Sequence, residues 1–122
     1  MRLAAFLLCM ALVTSSWAAE EATPEAHATF LVIYRPGPSW PAGVPVKELP
    51  LREHGRFLLG LYAEGVMKQA GPFTDNSGGA VVLTAPDLEH AMDVVKSDPA
   101  VEAGLFLYEV RPWAPEPWED HL

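Results

Sequence analysis

The sequence predicts an α+β fold with the element order β-α-β-β-α-β, on three observations. Two short apolar and aromatic runs, TFLVIY (Thr29–Tyr34) and LFLYEV (Leu105–Val110), open and close the folded part of the chain. Two amphipathic stretches with helical spacing, one from Leu51 and one from Leu88, lie between them. A punctuated turn, AGPFTDNSGGAVVL (Ala70–Leu83), joins two further strand-like runs between the two helices.

The N-terminus reads as a secretion signal. Arg2 is a short basic region, Leu3–Val13 is an apolar run too short to span a bilayer, and Ser16-Trp17-Ala18 puts small residues where a signal peptidase reads. Residues 1–18 are therefore expected to be removed. That would leave an exported protein, periplasmic or secreted, with no membrane attachment. Residues 19–27 are an acidic lead-in containing Pro24. The single cysteine, Cys9, would leave with the signal, so no disulfide framework supports the remaining domain.

The first strand ends at Arg35-Pro36-Gly37-Pro38. Five prolines from Pro36 to Pro50 exclude helix and central strand from the loop that follows, and this loop carries Trp40. Pro50 suits the entry to the first helix. There Leu51, Phe57, Leu58, Leu61 and Tyr62 fall on one arc, and Gly65 supplies the stop. His54 lies inside the apolar arc, one turn from Leu51 and one from Leu58, so the helix presents an imidazole to whatever it packs on. Val66–Phe73 and Ala80–Thr84 form a hairpin around Asp75. Pro86-Asp87 opens the second helix, with Leu88, Ala91, Met92 and Val95 inward, and Ser97-Asp98-Pro99 ends it. Asp98 itself reads as a turn residue. After the last strand, Arg111-Pro112-Trp113 leads to an acidic tail, residues 116–122.

Right-handed crossovers around the hairpin give a ferredoxin-like plait over residues 28–115, with both helices on one sheet face. Yet the first and last strands are apolar on both faces. An open apolar sheet face predicts a covering partner, most simply a second copy in a homodimer. The formal net charge of −8, with no basic run, argues against nucleic acid as a partner.

Several segments together resemble the YCII-related (YciI-like) family over Thr29 to Pro115. They are Ile33-Tyr34-Arg35-Pro36-Gly37-Pro38 with Trp40, His54 within LREHGRFLLGLYAEG, the AGPFTDNSGGAVVL turn, SDPAVEAGLF and EVRPW. The resemblance implies a dimeric α+β barrel built from ferredoxin-like monomers. It also implies a site made of a histidine on the first helix and an aspartate in the hairpin region, matching His54 and Asp75. The chemistry associated with the family is elimination of HCl from a chlorinated ring, and related barrels include lactone isomerases. The secretion signal departs from relatives that look cytoplasmic.

A histidine beside a carboxylate can take and return a proton near neutral pH, the carboxylate orienting the ring. His54 and Asp75 are the expected acid–base pair. Arg35, Ser77 and Trp40 are the expected substrate contacts. No nucleophile is apparent, since no GxSxG elbow occurs and no cysteine would remain. Proton-transfer chemistry, isomerisation or elimination, on a small organic substrate is the reading that remains. No cofactor is implied, and His27, His54, His90 and His121 are too scattered to read as metal ligands. Plainer alternatives stand beside each element. An inward histidine is often a satisfied core residue, and an aspartate in a turn often caps it. The whole chain would then be a non-catalytic binding or accessory module, or a purely structural dimer.

Overall fold

The structure, a computed structural model, describes residues 27–122. The secretion signal expected over residues 1–18 lies outside the described residues, as does all of the expected lead-in but His27. The elements are β1 (Ala28–Pro36), α1 (Arg52–Ala63), β2 (Met67–Pro72), β3 (Gly79–Ala85), α2 (Leu88–Lys96), α3 (Pro99–Glu102) and β4 (Phe106–Pro112). Single 3-10 turns occupy Val46–Glu48 and Trp118–His121. The strands form one antiparallel sheet in the order β2-β3-β1-β4, which is the ferredoxin-like plait expected from the element order. The short helix α3 is an addition to that expectation.

Strand periodicity decides the layers. On β1, Phe30, Val32 and Tyr34 point under the helices and are buried, while Leu31 and Ile33 on the other face are half-buried. Register carries the same split to the neighbours, pairing Phe30 with Leu83 and Val32 with both Val81 and Val110. The outer face is apolar where Leu31 meets Val82 and Ile33 meets Ala80. It turns charged along β4, where Glu109 and Arg111 pair at 3.3 Å beside the exposed Leu107.

The two long helices sit differently. α2 has an Asp87 N-cap accepting from the His90 N–H at 2.9 Å, and it buries Ala91 and Val95 almost completely. α1 has no side-chain cap and no fully buried residue. Its inward stripe is Leu51, His54, Leu58 and Leu61, all half-buried. Tyr62, expected on that arc, is 61% exposed instead. It lies about 40° round the helix from Leu58, on the side away from Leu61, at the edge of the strip that meets the sheet. Gly65, at φ 76°, turns the chain out of α1 into β2.

Candidate active site between α1 and the hairpin

A cavity of about 290 Å3 separates α1 from the β2–β3 half of the sheet. Small residues create it. On the helix-facing side of the hairpin, Ala70 pairs with Val81, and Gly79 pairs with Pro72 and with Tyr34 of β1. Alanine at position 70 leaves unfilled space that a larger side chain would take, while glycine at position 79 is set by the close approach of the Gly71 carbonyl. The adjoining Gly78 is required by its turn, because a Cβ there would collide with the Tyr34 carbonyl. Most of the remaining wall is carbon, including Val46, Leu51, Leu58 and Phe106, with polar groups only on the Tyr34, His54 and Lys47 side chains.

His54 lines this cavity. Its Nδ1 lies 2.7 Å from Asp98 Oδ2 and 2.9 Å from Asp98 Oδ1. Asp98 is completely buried. Its carboxylate also accepts from the Tyr34 hydroxyl at 2.9 Å and from the Ala100 N–H, as the N-cap of α3, at 2.9 Å. Two fixed donors make the carboxylate an acceptor, so Nδ1 carries the proton it donates to Asp98. In the neutral ring the remaining nitrogen, Nε2, is then the acceptor. Phe106 and Tyr34 stand edge-on to the ring at 5.2 and 5.8 Å between centroids, fixing its plane. Burial, then the charge of Asp98, then the hydrogen bond to it push the Tyr34 phenol far above its ordinary range, so Tyr34 stays a donor.

The carboxylate that serves His54 is therefore Asp98, and the expected pairing with Asp75 is corrected. Asp75 is exposed at the hairpin tip, where its Oδ1 accepts from the Ser77 hydroxyl at 2.5 Å and the Ser77 N–H at 3.0 Å. These two bonds, the hydroxyl first, hold its carboxyl below the usual carboxylate range. This is an Asx turn that satisfies itself locally. Ser77 is spent in the same turn. Trp40 is buried, donates its indole N–H to the Val44 carbonyl at 2.8 Å, and packs against Phe106. Trp40 and Asp75 meet at a second hollow of about 270 Å3, away from His54. Arg35 is exposed and lines neither hollow. Asp98 was legible only as a turn residue. An Asp-Pro dipeptide heading the apolar stretch Ala100–Val101 is a helix N-cap signature, and that signal could have placed Asp98 at the start of a helix. Among the described residues, no group of three His, Cys, Asp or Glu side chains could hold a metal ion. No helix among them is long and apolar enough to cross a membrane.

Comparison with known proteins agrees with this fold. Over 60 residues the chain is 40% identical to a protein named "Uncharacterized protein YjpA" of Bacillus subtilis (strain 168), covering 49% of this chain and 71% of that one. A solved structure of 5-chloro-2-hydroxyhydroquinone dehydrochlorinase from Burkholderia phenoliruptrix AC1100, in complex with 2,5-dihydroxybenzoquinone, superposes with a TM-score of 0.53. That match covers 72% of this chain and 95% of the other at 20% identity, a likeness of fold. Residues 40–114 match the model of the YCII-related domain, a span that holds His54, Asp98 and most of the cavity wall. The chain belongs to the YCII-related domain family.

Proposed function

We propose that this protein is a small acid–base enzyme that moves a proton on a compact organic substrate, by isomerisation or elimination, with His54 as the proton carrier. The observation that supports this most is the 2.7 Å contact between His54 Nδ1 and a fully buried Asp98, on a ring that lines an apolar cavity. Asp98 fixes the tautomer and stabilises the ring when it gains a proton. Nε2 then takes a proton from substrate and returns it. In a carbon-lined cavity, charge developing on the substrate is little screened, which strengthens its interaction with the ring. Asp75, at the hairpin tip, takes no part. A solved protein of the same fold is a dehydrochlorinase, which is compatible with elimination chemistry here.

The test uses 2,5-dihydroxybenzoquinone as probe, with 15N NMR of the His54 ring. In the wild type the ring should report a protonated Nδ1 and shift when the probe is added. Asp98→Asn should give a mixture of tautomers, and His54→Ala should lose the probe-dependent thermal shift. An Asp98→Asn protein with an unchanged tautomer would remove the dyad. Probe binding without any effect at His54 would favour a non-catalytic binding module.

Two further readings accompany this one. A homodimer formed through the outer sheet face would cover Leu31, Ile33 and Val82, and sedimentation at micromolar concentration tests it. Export through the signal at residues 1–18 predicts a mature N-terminus at Ala19, which mass spectrometry of the expressed protein reads directly.

A further inference from the structure

We infer that the cavity selects compact organic acids, with Lys47 holding the substrate's carboxylate while its carbon skeleton lies against His54. This rests on the cavity being the substrate site proposed above and adds the class of substrate. Three side chains with polar groups line the cavity, Tyr34, His54 and Lys47. The first is committed, because its hydroxyl donates to Asp98. His54 has one nitrogen committed to the same carboxylate. A ligand therefore meets the second ring nitrogen of His54, Lys47 at the mouth, and otherwise carbon and backbone. Lys47 is exposed at the cavity mouth, and among the described residues it forms no ion pair or side-chain hydrogen bond.

The position of Lys47 is built rather than incidental. It sits in the single 3-10 turn Val46–Glu48, entered from Pro45 and followed by the buried Leu49. The Val46 N–H donates to Asn76 Oδ1 at 3.4 Å, tying this lip to the hairpin tip. On a chain with a formal net charge of −8, an unpaired cation at the mouth of an apolar cavity offsets the surrounding repulsion of an anion. The volume, about 290 Å3, is at the small end for ligand cavities and suits a molecule of one ring. Arg35, the cation expected from the sequence to bind an anion, is not in the cavity wall.

The experiment is an NMR and calorimetric titration of the full chain with benzoate and with its neutral counterpart, benzamide. Benzoate should bind roughly five-fold more tightly than benzamide, as one partly exposed charge contact gives, and the difference should shrink with added salt. Lys47→Met should abolish the preference while leaving benzamide binding unchanged. Lys47→Arg should keep it, and Arg35→Met should not affect it. Equal binding of the two probes, a preference that survives Lys47→Met, or no binding of either at tens of millimolar overturns the inference. Because the readout is binding and not turnover, it fails separately from the His54–Asp98 dyad, whose own test is the ring tautomer in Asp98→Asn.

Discussion

The two long helices lie over the same sheet and do opposite things with it. α2 closes on β3 and β4, burying Ala91 and Val95 to within 1% of full coverage. α1 buries no residue fully and stands over a cavity. The contrast comes from a few side-chain volumes and one polar tie. Where β3 meets α2 the sheet offers Leu83 and Ala85, whereas under α1 the hairpin offers Ala70 and Gly79. The α2 half of the molecule is bought by burial, and the α1 half is held by a hydrogen-bonded histidine. Stability and the candidate chemistry are thus placed on separate halves of one small domain.

The sharpest way to break this comparison is to make the same substitution under both helices. Ala91→Phe should destabilise by ~3 kcal/mol or more in urea unfolding, because no space surrounds a side chain with zero exposure. Ala70→Phe should leave stability within about 0.5 kcal/mol and abolish probe binding, since the ring would occupy the cavity. Equal costs at the two sites would mean the cavity is not open space.

Truncation gives the second contrast. Val95→Ala should cost about 2 kcal/mol, whereas Leu58→Ala, which removes more carbon, should cost about 1 kcal/mol. Leu58 is half-buried beside a cavity already present, so its loss creates little new surface. A larger cost for Leu58→Ala would place α1 in the core after all.

A third prediction concerns Tyr34, where the two halves meet. Its phenol is raised in the fold above its ordinary 10.0, so the folded state holds its proton where the unfolded chain releases it. The associated stability is fully present below about pH 10 and is lost as pH rises further, at up to ~1.4 kcal/mol per pH unit. Tyr34→Phe should remove this alkaline loss, read from unfolding curves between pH 9 and about pH 11. The smallest effect is expected at Asp75→Asn, on the hairpin tip. It should change stability by less than about 0.5 kcal/mol and leave the His54 tautomer untouched.

The fold was largely legible because periodicity and punctuation are local signals. Continuous apolar character in TFLVIY and LFLYEV, helical spacing at Leu88 to Val95, and glycines at the turns each reflect a rule that acts over a few residues. His54 was legible for the same reason, as a polar residue on an apolar stripe. Its partner was not, because pairing across 44 positions depends on how elements dock. The hairpin turn looked ornate because Asp75, Asn76 and Ser77 serve the turn and its contact with Val46. Asp98 looked plain because a four-residue helix leaves almost no periodic trace. Lys47 was passed over in a proline-rich loop whose path only the tertiary structure reveals.

The tie from His54 to Asp98 also says how the domain should come apart. It joins α1 to the start of α3, and through the Tyr34 hydroxyl to β1, so one carboxylate clasps three pieces distant in the chain. With so little else buried beneath it, α1 is the segment that should swing free while α2 and the sheet stay closed. Amide exchange would then be fastest along Arg52–Ala63, and a bound ligand would slow it there before anywhere else. The proton-transfer site and the hinge of local opening would be one and the same place.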